Sequence, residues 1–159
     1  MDPACEVCKL LEARERGDDP FAIARVGTGS ISLLPTQYYE GYTVFSAKRC
    51  VPELHDLEPG VRDRYLHEMA VVAEAVFRAF APRKLNYELL GNGTPHLHWH
   101  LVPRHADDPK PGGPIWEDLN FLRTLWTAGA QPEPARLVEL KARLLAELEQ
   151  TSLVIEQRY

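Results

Sequence analysis

The sequence predicts an α+β domain in which one long helix crosses a mostly antiparallel sheet. The helix is predicted over Val61–Phe80, because apolar residues recur there at intervals of three and four. The sheet is predicted from short β-prone segments that glycine and proline turns separate. With 159 residues, 45% of them hydrophobic, the chain can bury a sizeable core. We therefore expect one domain over residues 1–159, with its core at about 5–116 and a C-terminal helical extension at about 117–150.

The predicted strands each lie between turn residues. In chain order they are Phe21–Val26, Ser30–Leu34, Gly41–Ala47, Leu85–Leu90 and His96–Pro103. A glycine turn at residues 27–29 joins the first two as a hairpin, and a second glycine turn at residues 91–93 joins the last two. This arrangement predicts antiparallel neighbours at both places.

The helices are predicted from periodicity and from the residues at their ends. A short run, Lys9–Arg16, comes first, and the long helix tolerates Pro59 in its first turn. Trp116–Trp126 is predicted as a second short helix. A final helix begins after Pro132 and runs to about Glu149, with leucines along the side that caps the core or docks a second subunit. The residues after 150 carry no informative pattern.

Composition and charge limit the kinds of binding partner and the cellular compartment that we expect. A net charge of −5 argues against a nucleic-acid polymer as the main partner, because such a partner requires a basic surface. A small phosphorylated ligand held by a few local cations remains compatible with that charge. No apolar run reaches the length of a membrane span and no signal peptide opens the chain, so we expect a cytoplasmic protein without membrane contact. In the cytoplasm, the three cysteines are expected to be thiols or metal ligands.

One stretch of the sequence indicates a functional site. His96, His98 and His100 stand at a spacing of two, so on a strand their rings line one face while the apolar residues between them point to the other. A row of imidazoles is costly to bury unless each ring has a partner. A solvated strand face that happens to carry histidines is the simpler explanation for one ring, but it fits three in strict alternation poorly. We therefore predict a site here.

The residues alone leave three kinds of chemistry open. A neutral imidazole nitrogen can attack phosphorus or an acyl carbon and form a covalent intermediate. The backbone N–H groups of Asn92, Gly93 and Thr94 would then cradle the developing charge. Alternatively, the histidines hold a catalytic zinc that keeps an open position. The third possibility is a structural metal that organises an interaction module.

The sequence also resembles a known family. The run His96–Val102 matches the pattern His-φ-His-φ-His-φ-φ of the histidine triad (HIT) family, where φ is apolar. Gly41–Leu54 resembles the glycine-led strand of that family, which ends in Pro-Lys-x-His, and Cys5-x-x-Cys8 resembles the zinc-binding start of many members. The resemblance runs from Cys5 to about Trp116, and the triad with its preceding turn is its most specific part.

The resemblance implies a nucleotide-binding α+β fold with a five-stranded antiparallel sheet, usually paired into a homodimer. Members are hydrolases or transferases that act at the α-phosphorus of dinucleoside polyphosphates or nucleoside phosphoramidates. By position, His98 matches the nucleophile, and His100 matches the residue that contacts the phosphate or leaving-group oxygen. Asn92, Gly93 and Thr94 match the phosphate-contacting segment, although Asn92 stands where glutamine is usual.

The same resemblance implies a zinc site made by Cys5, Cys8, Cys50 and His96. The family usually has histidine at the position of Cys50. A cysteine there gives a Cys₃His set, which is an acceptable tetrahedral zinc site. Three unrelated thiols are the alternative, since free cysteine is often simply a small buried hydrophobe.

Further substrate contacts are less specific. Asn86 is expected to orient His98 or to touch ribose, and Arg104 is expected to reach outer phosphates unless it is a solvated loop residue. Leu33–Pro35 stands where many members place an aspartate that holds the ribose hydroxyls, so ribose recognition has no assigned residue. Two alternatives to the covalent mechanism stay open, a zinc hydrolase that uses metal-bound water and a nucleotide-sensing scaffold with vestigial activity.

Overall fold

One sheet organises the fold of the computed structural model, which describes residue 2, residues 4–125 and residues 131–159. The strands in these residues are β1 (Ala22–Arg25), β2 (Gly29–Leu33), β3 (Thr43–Ala47), β4 (Lys84–Glu88), β5 (His98–Arg104) and β6 (Gln157–Arg158). They lie in the order β4-β5-β3-β2-β1-β6, and every neighbouring pair is antiparallel. The five predicted strands are confirmed, with ends that differ by at most two residues.

The helices also follow the predicted pattern. They are α1 (Glu6–Arg16), α2 (Pro59–Phe80), α3 (Leu119–Thr124) and α4 (Pro134–Leu148). The predicted Trp116–Trp126 helix is shorter than expected, because a separate 3-10 turn precedes α3 and the side chain of Asp118 caps the first N–H groups of α3. Trp126 lies outside the described residues. No described helix is long and apolar enough to cross a membrane.

The main core lies between one face of the sheet and the helices α2 and α4. Phe45 of β3 and Leu101 of β5 are fully buried on that face. The ring of Tyr65 in α2 stacks on Phe45 with centroids 4.9 Å apart, and its hydroxyl donates to the Phe45 carbonyl at 3.0 Å. The leucines of α4 that face this core are Leu140, Leu144 and Leu148. Because α2 and α4 cover this face, the opposite face is left for the site.

The sheet has six strands in the described residues, where the family resemblance implied five. The additional strand, β6, comes from the C-terminal residues that carry no sequence pattern. The N–H of Glu156 donates to the Arg25 carbonyl at 2.9 Å, and the N–H of Tyr159 donates to the Ile23 carbonyl at 3.0 Å. A strand of two residues is too short to show alternation. It covers the outer edge of β1, while β4 is the opposite edge of the sheet.

Candidate active site and metal site

The histidine row contains two rings rather than three. His98 and His100 lie in β5 opposite Ser46 and Val44 of β3, and their side chains share the face that α2 does not cover. The two ring centroids are 4.8 Å apart. His96 precedes the strand, which begins at His98, so the prediction of a single row is wrong for this residue. The chain bends at His96, and Nδ1 of its ring faces the sulfur atoms of Cys5 and Cys8.

His98 is held in one tautomer by the backbone. Its Nδ1 lies 2.5 Å from the carbonyl oxygen of His96. A carbonyl oxygen can only accept a hydrogen bond, so Nδ1 carries the hydrogen and donates it. The lone pair is therefore on Nε2, which is the state that a nucleophilic imidazole needs.

His100 is set up as a donor beside it. Its Nδ1 lies 3.0 Å from the phenol oxygen of Tyr42, which is almost fully buried. Burial, together with the neighbouring His98, lowers the pKa of His100 to about 4, so the ring is neutral at neutral pH. Burial raises the pKa of Tyr42, so the phenol keeps its hydrogen and can donate it to Nδ1. In that arrangement Nε2–H of His100 is free to donate to an oxygen.

Tyr42 is a residue that the sequence analysis missed. It lies within the predicted strand Gly41–Ala47, and its partner is 58 residues away in the chain. Its ring packs against Phe121 of α3, with centroids 6.1 Å apart, so the C-terminal extension buttresses His100 through this phenol. The spacing of Tyr42 from Val44 and Ser46 places them on one face, but it does not indicate that β5 lies alongside.

Removing the Tyr42 hydroxyl is expected to slow turnover without weakening substrate binding. In Tyr42→Phe, His100 loses the bond that fixes its tautomer and orientation, and we expect kcat to fall about 10-fold, the size of one neutral hydrogen bond, with KM nearly unchanged. Tyr39→Phe is the matched control, because Tyr39 is a buried phenol nearby that bonds to Asp118 at 2.9 Å. Steady-state kinetics on both variants test this. Equal kcat losses in the two would show that Tyr42 acts only through packing.

A cleft of about 160 Å³ opens beside the two histidines, between α1 and strands β2 and β3. One part of its wall is apolar and the other is polar. The apolar residues are Val7, Leu10, Phe21, Leu33, Leu34, Pro35 and Val44, and the polar ones are Arg14, Asp19, Ser32, Ser46, Thr94, His98 and His100. Such a wall suits a flat, partly apolar group with a charged group at the histidines.

Arg14 fixes α1 above this cleft. Although it is charged, it is only 2% exposed, because its guanidinium bonds to Asp19 at 2.9 Å, Ser30 at 3.1 Å and Ser32 at 2.7 Å. Arg14 shares the buried face of α1 with Cys8 and Leu11. The sequence analysis missed it, since a charged residue at such a spacing normally marks a solvated face.

The predicted metal ligands come together at the start of β5. The ligand atoms of Cys5, Cys8, Cys50 and His96 all lie within 4.8 Å of one another. Nε2 of His96 lies 2.8 Å from the Ala47 carbonyl and must donate to it, so Nδ1 is left to face Cys5 Sγ at 3.4 Å and Cys8 Sγ at 3.7 Å. A backbone carbonyl that orients a ligating histidine is the usual second partner in metal sites.

The donor set fits zinc. Desolvation of the thiol, then hydrogen bonds to Cys8 and Cys5, and last repulsion between neighbouring thiolates raise the pKa of Cys50 to about 12, although the residue as a whole is exposed. A dication removes that repulsion, since each thiolate becomes its ligand. Burial lowers the pKa of His96, which favours the neutral ring that binds metal. Three cysteines and one histidine could therefore hold one zinc ion in a closed tetrahedral site.

The predicted substrate contacts are not all at the histidines. Thr94 lines the cleft, whereas Asn92 and Gly93 are exposed in the turn before it. Asn86 lies opposite Val102 in β5 rather than next to His98, and it lines a second cleft beside β4. Ligand contacts of these residues stay predictions.

Arg104 is anchored by the loop that follows it. It is only 4% exposed and bonds to the Asp108 carboxylate at 2.7 Å and to the carbonyls of Lys110 and Gly113 at 2.6 and 2.7 Å. These bonds fold residues 105–113 over the sheet and leave the guanidinium little freedom to reach a phosphate. Its contact with substrate stays a prediction, and its solvated-loop alternative does not match its burial.

Comparison with known proteins agrees with the geometry. A family model described as the HIT domain matches residues 38–107, a range that includes Tyr42, Cys50 and the histidine pair. The protein "hit" of Bacillus subtilis (strain 168) is 26% identical over 137 residues, which cover 74% of this chain and 88% of that protein.

Solved structures show the same fold. A histidine triad protein from Sinorhizobium meliloti 1021 has a TM-score of 0.64 at 24% identity, covering 86% of this chain and 93% of that one. A Zn-bound histidine triad family protein from Mycobacterium smegmatis has a TM-score of 0.59 at 22% identity, covering 92% and 94%. The triad sequence and residues 38–107 therefore match the HIT domain, and the described residues share the fold of histidine triad proteins.

Proposed function

We propose that this protein is a hydrolase or nucleotidyltransferase that cleaves nucleoside 5′-phosphate derivatives at the α-phosphorus through a covalent nucleotidyl-His98 intermediate. The observation that carries the proposal is the tautomer of His98. The bond from its Nδ1 to the His96 carbonyl leaves the Nε2 lone pair unused on a ring that lines the cleft, beside a neutral donor ring. An available lone pair next to a donor is the pairing that phosphoryl substitution requires.

The proposed reaction has two halves. The nucleoside occupies the cleft under α1, and its α-phosphate lies at the two histidines. Nε2 of His98 attacks phosphorus, while Nε2–H of His100 and the Thr94 segment donate to the phosphoryl oxygens as charge develops. Water, or another acceptor in a transferase, then displaces His98 from phosphorus and releases the nucleotide. Both halves use the same donors.

We propose a structural role for zinc. The residues that would hold it are Cys5, Cys8, Cys50 and His96, and bound zinc would supply a rigid link between α1 and the start of β5. The alternative of a zinc hydrolase is less well supported, because four protein ligands leave no open position for water. Removing zinc should therefore lower stability before it lowers the rate of the chemical step.

The proposed partners are a small nucleotide and a second copy of the chain. The negative net charge disfavours a nucleic-acid polymer. The edge strand β4 carries Tyr87, which is 49% exposed, and is followed by Leu90, which is 60% exposed, so pairing of two β4 edges would cover both. A solution molar mass of one chain would rule out the proposed homodimer.

The proposed function is tested by trapping the intermediate. We expect rapid mixing with diadenosine polyphosphate or adenosine 5′-phosphoramidate, followed by intact-mass spectrometry, to show the chain carrying one added nucleoside monophosphate. Peptide mapping should locate the addition on His98. Turnover without any adduct, even at the earliest times, would favour direct attack by water. Nucleotide binding with neither adduct nor turnover would favour the sensing scaffold.

A further inference from the structure

A second cleft flanks the histidine pair on the side away from α1. It has a volume of about 470 Å³ and lies between β4 and the loop that Arg104 anchors. The first cleft lies over β2 and β3, and β5 with its two histidines runs between the two clefts. A substrate that places its nucleoside in the first cleft and its phosphorus at His98 would extend its leaving group towards the second.

The residue of the second cleft nearest the chemistry is Glu88. It lies directly opposite His100 in the β4–β5 pairing, on the same face of the sheet. Its Oε2 is buried and has no hydrogen-bond partner among the described residues. Its ionised form is one of the causes that raise the pKa of Tyr42, the phenol that bonds to His100.

Glu88 as a residue is half-buried, but a buried carboxyl oxygen without a hydrogen-bond partner is costly and calls for a ligand with a complementary group. Burial raises the pKa of Glu88, and the guanidinium of Arg104 opposes this only in part. The protonated group is therefore more populated than for an exposed glutamate, and it can give a proton to a neighbouring atom.

Resting on the function proposed above, we infer that Glu88 is an acid for the leaving group and that it selects amine leaving groups, which makes nucleoside phosphoramidates the preferred substrate class. A leaving amine needs a proton, because the nitrogen would otherwise depart as an amide anion. A polyphosphate leaving group needs no proton. Whenever the Glu88 carboxyl group is ionised, it also repels the negative charges of such a leaving group. The Glu88 carboxyl group thus favours cleavage of the P–N bond over cleavage of the phosphoanhydride bond.

The step balances with the groups present. Nε2 of His98 forms a bond to phosphorus, and the P–N bond breaks with its electron pair going to nitrogen. The Glu88 carboxyl transfers its proton to that nitrogen, so a neutral amine leaves and Glu88 becomes a carboxylate. When water displaces His98 from phosphorus, it returns a proton to Glu88 and restores both groups.

The test compares two substrates in the isosteric variant Glu88→Gln. One is adenosine 5′-phosphoramidate of a primary alkylamine, and the other is the 4-nitrophenyl ester of AMP, whose leaving group needs no proton. We expect kcat/KM for the phosphoramidate to fall about 100-fold, the lower range for losing a general acid, while the ester changes less than about threefold. Glu117→Gln is the matched control, since it removes the same charge from an exposed site next to the cleft loop.

The outcomes separate the two proposals. Equal losses on both substrates would assign Glu88 a purely structural role, and unchanged values on both would remove it from the reaction; either result overturns the inference and leaves the proposed function standing. A wild-type protein that turns over neither substrate and forms no adduct would refute the proposed function itself. A melting temperature close to that of the wild type shows that Glu88→Gln is folded.

Discussion

Replacing His98 with alanine is expected to reduce turnover of nucleoside 5′-phosphate substrates by at least about 10⁴-fold, because the attacking atom is removed. Binding of AMP should change little, since the cleft under α1 and the donor ring of His100 remain. The fold should also persist, because His98 is only partly buried and its ring bonds to the backbone carbonyl of His96. Steady-state kinetics, AMP titration and thermal melting measure these three quantities.

A matched control for this variant is His55→Ala, which removes an exposed imidazole outside the site. We expect that variant to keep wild-type turnover and melting temperature. Turnover by His98→Ala within a factor of about ten of the wild type would contradict the covalent mechanism, because no other described side chain occupies its position. Loss of AMP binding along with turnover would instead indicate that the ring holds the cleft open.

Losing one zinc ligand is the second large expected effect. In Cys50→Ala, three ligands remain, and we expect loss of bound zinc with a fall in melting temperature of about 10 °C. This corresponds to about 2.5–5 kcal/mol at the 2–4 °C per kcal/mol typical of a chain of this size. Cys50 is the exposed member of the cluster, so removing its thiol costs little packing. Atomic absorption and calorimetric melting give the two readouts.

Cys50→His is the matched control for the metal, because imidazole is also a good zinc ligand. It should retain one zinc per chain and most of the melting temperature, while Cys50→Ala loses both. If the two variants melt alike and the wild type carries no zinc after expression in zinc-supplemented medium, the cysteines are simply neighbouring thiols. Retained turnover in zinc-free wild type at low temperature would support the structural role.

Much of the fold and part of the site were predictable from short-range patterns. The 3.6-residue period of α2 and the glycine turns around the strands predict the elements, because a buried face leaves a local repeat in the sequence. Alternation in the triad predicts that His98 and His100 share a face. The triad and Cys-x-x-Cys also indicate a candidate ligand set, although nothing local to Cys50 shows that it lies beside Cys8.

The missed residues share one property, which is that their partners are distant in the chain. From the sequence, Tyr42 is only a residue of a predicted strand, and its role becomes visible when β5 is paired with β3. Glu88 is likewise an ordinary charge at a strand end, and its position beside His100 becomes visible when β4 is paired with β5. From the sequence, Arg14 resembles a solvated charge, but in the fold its guanidinium donates hydrogen bonds to Ser30 and Ser32 of β2.

The sequence by itself determined the fold class and the face that carries His98 and His100, and its resemblance to the histidine triad family named four candidate zinc ligands. Only the tertiary structure decided that His96 leaves the strand, that Tyr42 holds His100, that Glu88 faces the leaving-group side and that the C-terminus adds a strand. The reason is physical. Periodicity records which side of an element is buried, whereas these features depend on which strands are neighbours, and that choice is made by packing between distant segments.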